Sequence, residues 1–175
     1  MPLHRRRLLA GAATLTAAVA GCSGLPATDD TPEALQFEEL HQTPTCAAEA
    51  VDLALPDEVP TESDPDDAEL LLVPGDTNVD AQQTADWLAA DRAIALLGDD
   101  AEPTWIDWKR SDAFAEAFEN EAVADNDPDP QLLVGVAVES RTATYNRTWA
   151  DGPRERDLLR ALDEILVDVV ERTPR

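Results

Sequence analysis

Three short apolar runs recur along the chain, and each is followed by a turn and an amphipathic stretch. The runs are Glu69–Pro74, Ala93–Gly98 and Gln131–Val138. Because they lack the polar alternation of a half-buried strand, they indicate strands buried on both faces, as in a parallel sheet covered by helices. The pattern therefore predicts an α/β domain, with a small doubly wound, mainly parallel sheet of three to five strands and helices on both faces.

The amphipathic stretches predict three helices, which span Val79–Asp91, Thr104–Ala122 and Pro153–Arg172. Thr77 or Asn78 can cap the first helix, because their side chains can accept a hydrogen bond from a backbone N–H of the first turn. Ser111 is also a competent cap, so the second helix is expected to break near it. The apolar residues of the third helix follow the helical period closely.

Two other segments have strand-like patterns. Val51, Leu53 and Leu55 alternate with Asp52 and Ala54, which predicts an edge strand over residues 50–55. Residues 141–149 are polar and rich in residues that favour strands, which predicts an extension of the third strand or a hairpin. The proline-rich acidic stretch over residues 56–67 is typical of a solvated loop.

The N-terminus has the features of an export signal. Arg5 and Arg6, followed by Leu8 and Leu9, resemble the twin-arginine export motif. The apolar run that follows has about 13 residues, too few to cross the ~30 Å hydrocarbon core of a membrane. It ends in Val-Ala-Gly-Cys, which is similar to a lipobox, and this resemblance implies cleavage before Cys22 and a lipid on its thiol.

These features predict a signal peptide over residues 1–21, a lipidated cysteine with a flexible tether over residues 22–48, and one α/β domain over residues 49–175. Export by the twin-arginine route would place the protein on the outer face of the cytoplasmic membrane. Its lipid on Cys22 would then be its contact with the membrane.

The composition is extremely acidic, with 37 acidic and 13 basic residues and a formal net charge of −24. All the acids follow Cys22, so loss of Arg5, Arg6 and Arg7 with the signal changes this charge to −27, and Lys109 is the only lysine. The composition resembles that of haloarchaeal proteins, whose acidic surfaces remain hydrated in concentrated salt. Intrinsic disorder or a metal-binding surface are alternative interpretations, whereas nucleic-acid binding is opposed by the sign of the charge.

Acidic residues follow each of the three predicted strands. Asp76, then Asp99 and Asp100, and then Glu139 lie in these turns. The carboxyl ends of parallel strands lie at one edge of a sheet, so these side chains could converge on a hard cation such as Mg²⁺ or Ca²⁺. The alternative is that they serve as ordinary turn and cap residues, which aspartate commonly does.

Residues 70–100, LLLVPGDTNVDAQQTADWLAADRAIALLGDD, resemble the class I glutamine-amidotransferase-like fold, with a strand ending in Pro-Gly, a helix and a strand ending in Leu-Gly. Those enzymes use a cysteine nucleophile with a histidine partner, and neither residue type occurs after Cys46. The resemblance therefore implies a degenerate, non-hydrolytic member that acts as a binding or assembly domain.

The remaining chemistry of the sequence is sparse. The chain has no nucleophile elbow and no phosphate-binding glycine motif, so no cofactor is predicted. Cys46 is interpreted as a buried small residue or as one half of an intermolecular disulfide. Asn146 begins an Asn-Arg-Thr sequon and is a candidate for glycosylation.

The residue inventory favours a non-catalytic, membrane-anchored lipoprotein domain that binds an envelope protein or helps to organise an envelope assembly. The alternative is a cation- or small-molecule-binding domain that uses the carboxylates at its strand ends, with weak hydrolytic activity as a further option.

Overall fold

The computed structural model describes residues 35–119 and 129–172 of the chain. Within these ranges the strands are β1 (Thr45–Ala47), β2 (Leu70–Pro74), β3 (Ala93–Leu97), β4 (Leu132–Val138) and β5 (Arg141–Arg147). The helices are α1 (Ala81–Ala89), α2 (Ala101–Lys109), α3 (Asp112–Ala117) and α4 (Glu155–Arg172), and a 3₁₀ turn spans Leu40–Gln42.

The five strands form one mixed sheet in the order β1-β2-β3-β4-β5. The first three strands are parallel, whereas β4 runs antiparallel to β3 and β5 antiparallel to β4. The predicted small α/β domain, with helices on both faces of its sheet, is confirmed. The sheet is parallel only in its first half, however, and its strand order follows the chain without the reversal of a doubly wound fold.

Alternate residues of the strands face two separate cores, as the period of two in a strand requires. Leu70 and Leu72 face α4, where they join Leu162 and Ile165. Leu71 and Val73 face α1, α2 and α3 on the other side of the sheet. Burial on both faces explains why β2 and β3 read as continuous apolar runs.

Aromatic residues fill the second core. Trp105 of α2 lies in edge-to-face contact with Trp108 and Phe114, at centroid separations of 6.2 and 5.8 Å. The Trp105 ring lies directly over Gly135 of β4, where a Cβ atom would overlap the ring. Glycine is therefore required here by the close approach of an aromatic ring.

Helices are present in all three predicted regions, with different bounds. The second region begins at Ala101 rather than Thr104, its helical structure ends at Ala117, and residues 120–122 lie outside the described residues.

The N-caps also differ. Asp80, rather than Thr77 or Asn78, caps α1 by accepting a hydrogen bond from the Gln83 N–H at 2.8 Å. The predicted break at Ser111 is present, and the Ser111 hydroxyl accepts a hydrogen bond from the Phe114 N–H at 3.3 Å.

The beginning of the domain differs from the prediction. The strand expected over residues 50–55 is wrong, because this segment is irregular and the edge strand is β1 instead. Leu53 is nevertheless buried against the α4 side of the sheet, so core packing without strand pairing accounts for the alternation. Leu40 is fully buried in the same core, and folded structure therefore precedes the predicted boundary at residue 49.

Candidate functional site

Two of the three acidic turns meet at one end of the sheet. The Gly75 N–H donates a hydrogen bond to the Leu97 carbonyl at 2.6 Å, and a Cβ atom on Gly75 would be 2.7 Å from the backbone nitrogen of Ala101. The turn containing Asp76 thus packs against the turn containing Asp99 and Asp100. All three carboxylates are on exposed residues.

Glu139 is at the other end of the sheet. Because β4 runs antiparallel to β3, the turn after β4 lies beside the beginning of β3 rather than its end. The predicted convergence of three acidic turns is therefore wrong. In residues 35–119 and 129–172, no group of three or more His, Cys, Asp or Glu residues is arranged to hold a metal ion.

The predicted export and lipidation residues, Arg5, Arg6, Leu8, Leu9 and Cys22, lie outside the described residues. Among the helices that are described, none is both long enough and apolar enough to cross a membrane.

The segment that enters the domain is attached to α4 by a buried carboxylate. One oxygen of Asp163 accepts hydrogen bonds from the backbone N–H groups of Glu38, Glu39 and Leu40 at 2.9–3.0 Å, and its other oxygen accepts one from Glu38 at 3.0 Å. Asp163 is 9 % exposed and these contacts span about 125 positions in sequence. This contact fixes the place where the chain enters the folded domain.

Cys46 is a free, buried thiol in the core that faces α1. Its burial, together with the nearby carboxylates of Asp64 and Glu62, raises the pKa of the thiol above its ordinary value. A raised pKa keeps the sulfur in its unreactive protonated form.

The most distinctive surface in the described structure is formed by β5 and α4, and it differs from the rest of the chain in charge. Residues 141–147 and 155–172 together contain five arginines and six acids, whereas residues 23–140 contain thirty acids and only three basic residues. We call the side of the domain formed by Arg141–Arg147 and Glu155–Arg172 the β5–α4 surface. The net charge of the whole chain hides this contrast, which appears only when charges are counted segment by segment.

Arginine side chains lie along the β5–α4 surface. The Arg141 guanidinium is 3.4 Å from a Glu119 carboxylate oxygen, and that of Arg147 is 4.0 Å from Glu164. Arg172 lies over the ring of Tyr145, 5.7 Å from its centroid. Asn146 lies on β5 with a half-buried side chain, so the candidate glycosylation residue is in a paired strand rather than in a loop.

A groove of about 620 Å³ lies at the end of the sheet where β3 begins and β4 ends. Its lining includes Val136, Leu166 and Val170, the last of which is 47 % exposed, and the acidic residues Glu39, Glu69 and Asp91. A lining with both apolar and acidic side chains has the chemistry to receive an apolar group that carries positive charge.

Comparisons of this chain with protein-family models, with curated proteins and with solved structures find no match.

Proposed function

We propose that this protein is a lipid-anchored domain on the outer face of the cytoplasmic membrane that binds a protein partner through its β5–α4 surface. Anchoring is supported by the twin arginines, the short apolar run and the lipobox-like sequence that ends at Cys22. The predicted tether would let the domain move above the membrane and meet a partner there.

The charge of the β5–α4 surface is the observation that carries the partner-binding proposal. In a chain of net charge −24, acids are concentrated before residue 141, whereas the β5–α4 surface has five arginines against six acids. A surface that contacts only concentrated salt is expected to be as acidic as the rest of the protein. A surface that contacts another protein benefits from fewer acids, because like charges across an interface oppose association.

Purification of the full-length tagged protein from its own host's membranes, in multimolar salt, tests this proposal. We expect an intact mass that includes a lipid, membrane association that is lost in Cys22→Ser, and one protein that co-elutes in a fixed ratio. An Arg5→Lys plus Arg6→Lys variant should remain inside the cell. Recovery of a lipidated protein without a stoichiometric partner would contradict the binding proposal and leave the anchoring proposal intact.

A second candidate function, binding of a small organic cation, is supported by the groove that Val170 lines. Thermal-shift titration with alkyl ammonium ions of increasing chain length tests it. We expect stabilisation that grows with the alkyl chain and is reduced in Val170→Asn. Stabilisation that is equal in both proteins would exclude the groove as the binding site.

A further inference from the structure

The outer edge of β5 has the backbone geometry of a strand that can accept another. β5 pairs with β4 through a two-residue turn, with Val138 opposite Arg141. In such a hairpin the residues that close the turn form a hydrogen-bonded pair, and the pairing then alternates along the ladder. The backbone N–H and C=O groups of Thr142, Thr144 and Asn146 therefore point away from β4.

In the part of the chain that the structure describes, these outward groups have no backbone partner. Among these groups, the Asn146 carbonyl has a side-chain partner, because it accepts a hydrogen bond from the Arg147 guanidinium at 2.9 Å. The opposite edge of the sheet is protected. There, Thr45 of β1 donates to the Pro60 carbonyl at 2.8 Å and accepts from the Glu62 N–H at 2.9 Å. One edge is thus covered by the chain's own loop, and a seven-residue edge is open.

Charge limits what this open edge can bind. Residues 141–150 contain two arginines and no acid. Arg141 and Arg147 lie six residues apart on the same face of β5, a separation of about 20 Å in a strand. Arg172 adds a third guanidinium on that face, above Tyr145, and its side chain is 69 % exposed. Each of these guanidinium groups has an acidic neighbour within 4.0 Å, namely Glu119, Glu164 or Asp168. The strand itself carries no acid, so this edge presents arginines without acids of its own in a strongly acidic protein.

A second copy of the chain fits this edge poorly when the two β5 strands pair along their whole length. Antiparallel pairing of two β5 strands about Thr144 would match their outward groups but would set each Arg141 opposite the Arg147 of the other copy. Like charges placed directly opposite each other in a sheet are destabilising. An extended segment with carboxylates on its α4-facing side would instead contact these guanidinium groups favourably.

We infer that the open edge of β5 binds an extended acidic segment of a partner protein, which joins the sheet as an added strand. This inference rests on the proposed function and names the partner's chemistry. Backbone hydrogen bonds to Thr142, Thr144 and Asn146 supply the pairing, and Arg141, Arg147 and Arg172 select for acid. In concentrated salt the Debye length is about 3 Å, so direct contacts contribute more to binding than the net charge of distant parts of the protein.

Thr144→Pro tests the pairing. Proline removes the outward N–H and places its ring at the edge, whereas the bonds between β4 and β5 use other residues, and proline is tolerated at sheet edges. Thr144→Ser is the matched control because it keeps the N–H. In the purified full-length protein, we expect Thr144→Pro to weaken binding of a synthetic alternating Asp-Val peptide at least tenfold and to lose the co-eluting partner. Thr144→Ser should retain both.

Arg141→Gln plus Arg147→Gln tests the charge selection, and it also serves if Thr144→Pro fails to fold. Its control is Lys109→Gln plus Arg110→Gln, which removes the same charge from the end of α2, outside the β5–α4 surface. We expect at least a tenfold loss of Asp-Val peptide binding in the first double variant only, and no binding of a Lys-Val peptide to the wild-type protein.

Several results would overturn the inference. Equal binding of the Asp-Val and Lys-Val peptides would contradict the charge selection, and dimerisation that Thr144→Pro abolishes would make a second copy the occupant. A sugar on Asn146 in the intact mass would show that the edge is blocked. A partner that co-elutes equally with wild type and Thr144→Pro would leave the proposed function standing and reject this edge as its site.

Discussion

The contribution of an aspartate to the stability of this fold depends on whether its side chain is buried. The chain contains many aspartates, yet Asp163 is the one among the described acids that is buried and hydrogen-bonded to three consecutive backbone N–H groups. Replacing it leaves those donors without a partner. We therefore expect Asp163→Ala to lower the free energy of unfolding by about 2–3 kcal/mol.

Glu164→Ala is the matched control for that change, because it removes an exposed acid from the adjacent position of the same helix. We expect it to alter stability by about 0.5 kcal/mol or less. Urea denaturation at constant salt gives both values, and amide exchange at Glu38, Glu39 and Leu40 should accelerate in Asp163→Ala alone. Equal losses in the two variants would contradict the role of Asp163.

Cys46 predicts a dependence of stability on pH. Its pKa is raised in the folded state, so the folded protein keeps the thiol proton where the unfolded chain loses it. This contribution is fully present below the unfolded pKa of about 8.5 and is lost as the pH rises through the higher folded value.

We therefore expect the free energy of unfolding to fall above about pH 8.5, and to fall less steeply in Cys46→Ala, which has no thiol to ionise. Urea denaturation of both proteins at several pH values measures the two slopes. Parallel slopes would show that other groups cause the alkaline loss.

At the scale of elements, strand direction limited what could be predicted. Helical periodicity predicted α4, cap residues and amphipathic stretches predicted α1 and the α2–α3 region, and unbroken apolar runs predicted β2, β3 and β4. The same runs occur in any strand buried on both faces, so they do not tell whether β4 is parallel or antiparallel. For that reason Glu139 was expected beside Asp76 and Asp99, and it lies at the opposite end of the sheet.

The turn between β4 and β5 contains a residue with an unfavourable backbone conformation. Glu139 has a φ of +57°, in the left-handed region that disfavours residues with a Cβ, and Ser140 does not share this conformation. We expect Glu139→Gly to raise the free energy of unfolding by about 1 kcal/mol, because glycine adopts this conformation without the steric penalty.

Ser140→Gly is the control for this change, and we expect it to be neutral or destabilising because glycine adds freedom to the unfolded chain without relieving strain. Thermal denaturation of both variants checks the difference. A loss of stability in Glu139→Gly would indicate that the Glu139 carboxylate makes a contact that outweighs its backbone strain.

For the whole molecule, uneven charge is the property that connects stability with function. Between Cys22 and residue 141 the sequence contains thirty acids and three basic residues. At 0.1 M salt the Debye length is about 10 Å, so acids on neighbouring loops repel each other. In concentrated salt this repulsion is screened, and the folded state is expected to become more stable.

We expect the melting temperature to rise by about 10 °C or more between low salt and multimolar KCl, which corresponds to a few kcal/mol in a domain of this size. Salt also strengthens apolar burial, so sucrose at low salt is the necessary control, because it acts through exclusion without screening charge.

An Asp57→Asn plus Glu58→Gln variant, which neutralises two exposed acids, should need less KCl to reach the same melting temperature. If sucrose matches KCl, or if the neutralised variant keeps the full salt dependence, repulsion between acids is not what salt relieves. The β5–α4 surface would then need an explanation other than its contrast with an acidic, salt-adapted domain.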